Sequence, residues 1–243
     1  MSPADQLLAA ADTLCAGLAP LRFAAPVHTV YNPLLYARKP HTTYVRRFAR
    51  SGIDALLLGM NPGPFGMAQI GVPFGEIAAV RDWMGITDEV ERPLVEHPKR
   101  PITGFACTRS EVSGRRLWGL FQERFPVADS FFEKHYVANY CPLVFMDEGG
   151  ANLTPDKLPA GERAAVEAVC DAHLIATIRT VQPRWVIGIG GFAQKRATLA
   201  LAAAGIRDVQ VGTILHPSPA SPAANRGWAE QATRQLVGMG VWK

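Results

Sequence analysis

The 243-residue sequence lacks most of the marks by which a chain is placed at a glance. No stretch approaches 18 consecutive apolar residues, so no membrane-spanning helix and no membrane partner are expected. Cysteine is scarce and scattered. Cys15, Cys107, Cys141 and Cys170 form no C-x-x-C pair, which argues against a zinc knuckle or a compact iron–sulfur site and leaves reduced, buried thiols as the expectation. The six histidines, His28, His41, His97, His135, His173 and His216, show no metal-ligand spacing. A G-x-S-x-G elbow, a Walker A loop and an H-E-x-x-H helix are all missing. There is no repeat of fixed period and no low-complexity tail. Met1 to Pro20 is Ala-rich but carries Asp5 and Asp12 and no basic residue, so it lacks the basic start of a signal peptide. It reads as a helix over about 2–18, peripheral to a single domain spanning 1–243. A cytoplasmic protein of bacterial type, working on the nucleoid, is the expectation.

What is present is an ordinary globular composition, 48% hydrophobic and 19% charged, with a formal net charge of +4. That balance permits an acidic partner such as nucleic acid without requiring one. Four short apolar runs read as strands: Ile53 to Met60, His135 to Cys141, Trp185 to Ile189, and Val209 to Leu215. The first is nearly continuous, as in a strand buried on both faces. Between and after them lie helical patterns over Gly161 to Ile178, Phe192 to Ala204 and Ala229 to Val237. Strands alternating with helices predict a three-layer α/β/α sandwich around a mainly parallel sheet. Ligands of such sheets sit outside the carboxyl ends of the strands. Two loops of unusual composition leave strand ends, Asn61 to Glu76 and His216 to Trp228. If their strands are parallel neighbours, Asn61 and His216 face one crevice.

One motif competes for attention. Gly188-Ile189-Gly190-Gly191-Phe192-Ala193 matches a dinucleotide fingerprint, G-x-G-x-x-A, between a strand and a helix. The acidic residue expected at the end of the next strand is absent: Asp208 precedes that strand, and His216 follows it. A tight strand-to-helix turn is the preferred reading, and a dinucleotide-binding oxidoreductase the less favoured one.

The loop Gly59-Met60-Asn61-Pro62-Gly63-Pro64-Phe65-Gly66-Met67, continuing to Pro73-Phe74-Gly75-Glu76, and the loop His216-Pro217-Ser218-Pro219-Ala220 to Asn225-Arg226-Gly227-Trp228 together resemble the two active-site motifs of the single-strand-selective monofunctional uracil-DNA glycosylases. Pro98-Lys99-Arg100-Pro101, Ser110-Glu111-Val112-Ser113-Gly114 and Asn139-Tyr140-Cys141-Pro142-Leu143-Val144-Phe145 fit as well. The similarity runs from about Tyr31 to the end. Taken alone, Asn61 would be a turn residue and His216 a lone strand-end histidine.

The resemblance implies hydrolytic excision of uracil, and of some 5-modified uracils, from single- and double-stranded DNA, with no cofactor or metal. Asn61 and His216 would be the catalytic pair, an amide holding water near the sugar and an imidazole donating to the uracil oxygen. That division suits a reaction in which charge separates, because no strong base is needed. Asn139 would read the N3–H and O4 edge, and Phe74 would stack on the flipped base. Gly63, Met67 and Met60 would border the base pocket. Pro217, Ser218, Pro219 and Ala220 would form the wedge, with Lys99, Arg100, Arg115, Arg116 and Arg226 as phosphate contacts. Relatives commonly carry Arg where this chain has Ala220. A monomer is expected. A non-catalytic damaged-DNA binding module is the rival reading.

Overall fold

A computed structural model describes residues 1–243. In chain order the strands are β1 (Thr29–Tyr31), β2 (Ala55–Gly59), β3 (His135–Asn139), β4 (Val144–Met146), β5 (Asn152–Leu153), β6 (Trp185–Ile189) and β7 (Gln210–Ile214). The α-helices are α1 (Pro3–Leu18), α2 (Pro33–Tyr36), α3 (Arg38–Phe48), α4 (Met67–Ile70), α5 (Val112–Arg124), α6 (Ala128–Phe132), α7 (Ala160–Val181), α8 (Gly191–Ala203), α9 (Pro222–Asn225) and α10 (Trp228–Gly238). No helix is long and apolar enough to cross a membrane.

The central sheet has the order β3-β2-β6-β7, every pair parallel. All five residues of β2 are buried, as its unbroken apolar run requires for a central strand covered on both faces. One face is covered by α8, with α7 against α8 and α1 against α7. The other face carries α10 and α5, with an aromatic cluster of Trp83, Trp118, Phe121, Phe131, Phe132 and Trp242 packed edge-on and stacked beneath it. The three-layer sandwich predicted from the alternation of strands and helices is the observed architecture. The N-terminal helix lies on the outside but sinks Leu7, Leu8, Ala11, Leu14, Cys15 and Leu18 into the main core. Its start is closed by a capping box between Ser2 and Asp5.

A second, antiparallel sheet of order β1-β4-β5 was not predicted. Its strands are three, three and two residues long, too short to show a period. It brings Asn152 and Thr154 to the carboxyl edge of the main sheet.

The glycine-rich turn after β6 is a packing device. A side chain at Gly188 would collide with the backbone of Gln194, so α8 lies close on β6 only because Gly188 has none. Gly190 has φ +92°, a conformation that favours glycine, and its Cα faces the His216 ring. All four cysteines are unpaired, three of them buried.

Candidate active site

A cleft of about 360 Å³ opens at the carboxyl ends of the central strands. Its wall includes Met60, Asn61, Gly63, Met67, Phe74, Asn139, His216, Ser218 and Pro219. The premise that β2 and β7 are neighbours fails, because β6 lies between them. Asn61 and His216 nevertheless line the same cleft.

Each polar group is held in a defined sense. The β2–β3 pairing continues past the strands, with the Tyr140 amide donating to the Gly59 carbonyl and the Cys141 amide to the Met60 carbonyl, both at 2.9 Å. That extension sets Asn61 beside the segment after Asn139. Asn61 Nδ2 then donates to the Leu143 carbonyl at 3.1 Å. With its NH₂ committed, the amide offers Oδ1, an acceptor. At the other wall, the Ser218 amide donates to His216 Nδ1 at 3.1 Å. In the neutral ring the proton therefore sits on Nε2, which makes His216 a donor. Burial pushes the imidazole below its ordinary pKa, so the neutral form is the working form. The cleft thus has an acceptor on one side and a donor on the other.

The base-sized slot lies between them. Asn139 Nδ2 donates to Met67 Sδ at 3.2 Å, while Asn139 Oδ1 is buried and receives no hydrogen bond from the protein. A buried acceptor left in this condition costs about 1–3 kcal/mol, recovered when a ligand supplies an N–H. Gly59 forms the floor, since a Cβ there would run into both Asn139 Oδ1 and the Phe74 ring. Phe74 is half-buried and sits in a left-handed backbone conformation, φ 53°, rare for an aromatic residue. The Trp118 indole donates to its carbonyl at 3.1 Å, and the missing side chain of Gly114 lets that carbonyl approach α5. Strain of this kind is maintained where the surroundings over-determine it. The Phe74 and His216 rings lie 6.4 Å apart.

Sequence reasoning assigned Glu111 no role. Its carboxyl lines the cleft and fills the space beside Gly63 and Gly66, neither of which could carry a side chain without meeting it. Burial pushes its pKa up, against the opposing pull of the Phe65 and Ser113 amides. Gln69 braces the same loop, donating to the Pro64 and Pro101 carbonyls and accepting from the Thr103 amide. Gln69 lies within the glycine-rich loop and Glu111 at the start of a later helix, and nothing in the sequence alone separates either from an ordinary solvent-facing polar residue.

The basic residues divide. Arg116 donates to the carbonyls of Pro217 and Ser218 and to Asn225 Oδ1, so it braces the second loop and is not a free phosphate contact. Arg100 lies over the Phe65 ring at 5.5 Å and Arg109, which had drawn no attention, at 4.1 Å. Lys99, Arg115 and Arg226 are exposed and their side chains make no hydrogen bond or ion pair. Pro219 and Ala220 stand exposed at the rim, while Pro217 is buried. No group of three or more His, Cys, Asp or Glu side chains is arranged to hold a metal ion.

A parallel α/β sandwich that gathers two amides, an imidazole and an aromatic ring at its carboxyl edge defines a class of base-recognising enzymes built for charge separation. The chain belongs to the uracil DNA glycosylase superfamily, whose sequence profile matches residues 47–237. Within that superfamily it is 48% identical over 228 residues to the single-strand selective monofunctional uracil-DNA glycosylase of Rattus norvegicus, covering 94% of this chain and 82% of the relative. The corresponding enzymes of Mus musculus and Bos taurus are each 47% identical, over 94% and 91% of this chain and 81% of the relative. The crystal structure of wild-type Pedobacter heparinus SMUG2 superposes with a TM-score of 0.64 over 96% of this chain and 99% of that one, at 16% identity, and supports the fold.

Proposed function

We propose that the protein is a monofunctional uracil-DNA glycosylase, hydrolysing the bond between deoxyribose and uracil and leaving an abasic site with an intact backbone. The observation that carries this reading is the opposed polarity of the cleft. Asn61 offers an acceptor, suited to holding a water against the sugar, and His216 offers a donor, suited to the oxygen of the departing base. The curated relatives, by their names, carry the same activity. Cleavage spreads positive charge on the sugar and negative charge on the base, and preorganised dipoles stabilise that separation without a strong base. Asn139 reads the edge of uracil, its Oδ1 accepting N3–H and its second Nδ2 hydrogen donating to O4, and Phe74 supplies the stacking face. The substrate is DNA in single or double strands, engaged by Lys99, Arg100, Arg115 and Arg226, so binding weakens steeply with salt.

The test is a uracil-containing single-stranded oligonucleotide incubated with the wild type and with Asn139→Ala. Free uracil is released by the wild type, and the strand breaks only after heat or alkali. Asn139→Ala loses at least about 100-fold in rate, because the slot no longer reads the base edge. Breakage without heat or alkali, or binding with no base release, would sink the proposal.

The second loop carries its own prediction. Ala220 is exposed beside Pro219, and its methyl group is too small to fill the gap left by an extruded base. Arginine at this position would add a charge and a wedge. Ala220→Arg is expected to raise duplex cleavage relative to single-strand cleavage by about threefold or more, an effect of roughly one hydrogen bond or phosphate contact. Equal ratios for the two proteins in paired assays would refute this role for the loop.

A further inference from the structure

We propose that the Met67 thioether fixes which way the Asn139 amide faces, and so helps set the choice of uracil over cytosine. The inference rests on the uracil reading above and deepens it. An asparagine amide is nearly symmetric in shape, but its two ends have opposite polarity. With Oδ1 toward N3–H and Nδ2 toward O4, Asn139 matches uracil. Turned over, it would match cytosine, which presents an acceptor at N3 and a donor at N4. Base choice therefore depends on what prevents the turn.

Few groups near Asn139 can do so. Gly59 contributes only a smooth floor, and Phe74 an apolar ring. Oδ1 itself is buried with no protein donor to hold it. The single polar contact of the Asn139 side chain is Nδ2 to Met67 Sδ at 3.2 Å. A thioether sulfur can accept but cannot donate. In the observed orientation it takes one Nδ2 hydrogen and leaves the other for O4. In the turned orientation it would face a carbonyl oxygen, acceptor against acceptor, while Nδ2 would occupy the dry position that Oδ1 now holds. Met67 is 3% exposed at the start of α4, and its helix is tied down by Gln69, so the sulfur has little room to withdraw. Its side chain is thus a specificity-determining group that acts through Asn139, beyond the role of bordering the base pocket expected from the resemblance.

The experiment compares release of uracil and of cytosine from otherwise identical single-stranded oligonucleotides, under single-turnover conditions, by the wild type and Met67→Leu. Leucine keeps the volume and removes the acceptor, a change that folded cores tolerate. Cytosine release is expected to rise in absolute terms and the uracil-to-cytosine ratio to fall by about tenfold, the effect of one lost orienting hydrogen bond and one lost acceptor–acceptor clash. A gain on cytosine is a readout that loosened packing would not produce. A ratio unchanged within about twofold, including a parallel loss on both bases, overturns the inference and leaves the uracil reading intact. Failure of the wild type to release uracil overturns the reading and the inference with it. Should the variant not fold, a second measurement on the wild type decides. Nuclear Overhauser contacts between the Asn139 side-chain NH₂ and the Met67 ε-methyl are expected, and their absence overturns the proposal.

Discussion

Asn61→Ala is expected to slow uracil release from a single-stranded oligonucleotide by about 10²- to 10³-fold while leaving affinity for the strand within a few-fold. The expectation follows from how the amide is held. Its NH₂ is spent on the Leu143 carbonyl, so Oδ1 faces the cleft in one orientation without a further entropic penalty at the moment of reaction. Alanine removes the acceptor that would hold water at the sugar and leaves the Leu143 carbonyl without its donor. It leaves Phe74 and Asn139, the proposed base-binding groups, and the proposed phosphate contacts in place. The loss therefore belongs in kcat and not in KM. Asn61→Asp separates two versions of the role. A carboxylate keeps an acceptor toward the water but cannot donate to the Leu143 carbonyl. If orientation by that carbonyl matters, Asn61→Asp falls below the wild type despite its stronger basicity. Single-turnover rates for the three proteins, with strand affinity measured separately by fluorescence anisotropy, check the prediction. A drop confined to affinity would remove Asn61 from the chemistry.

How much of this could be read without coordinates depends on the element. The four central strands and the three long helices after them were legible because each is long enough to show its period, and Asn-Pro-Gly and His-Pro end two of the strands abruptly. Their bounds shifted by at most a few residues. The β1-β4-β5 sheet was not legible, since two- and three-residue strands have no period and pair only through contacts remote in sequence. The strand order was also out of reach: β6 separates β2 from β7, yet Asn61 and His216 line one cleft. Composition marked the two loops, but it could not show which groups serve them. Arg116 looked like a phosphate contact and proved to be a brace, because its partners are carbonyls a hundred residues away. Glu111 was given no role from sequence, and its place in the cleft depends on two glycines brought to it by folding. Gly188 and Gly190 show the reverse case, where a motif suggestive of chemistry is accounted for by close packing of α8 and of His216.

His216→Ala is expected to reduce uracil release by about 10²- to 10³-fold, the loss typical of one preorganised donor to a developing oxyanion. Its pH behaviour gives the sharper test. Burial lowers the pKa of the imidazole, so its neutral form persists below the ordinary histidine range. The Ser218 amide, a donor aimed at Nδ1, opposes protonation in the same direction, because a protonated ring has no acceptor there. The neutral ring is therefore the working form at pH 7, and protonation, which keeps the Nε2–H donor but removes the Nδ1 acceptor that holds the ring to the Ser218 amide, comes only as pH falls through a pKa below the ordinary histidine value. Glu111 is the other titratable group lining the cleft, and it moves the opposite way, its pKa raised by burial. Arg109 stands near its loop over Phe65, and Arg116 reaches the second loop. The two shifts converge on the acid side, so the single-turnover rate should be level from neutral pH down through 6.5 and bend at lower pH. Glu111→Gln, which keeps the shape and removes the charge, assigns the bend: it disappears if the carboxyl causes it and survives if His216 does. An inflection at the ordinary imidazole pKa in the wild type, absent in His216→Ala, would show that the ring works as a titrating acid instead of a fixed neutral donor.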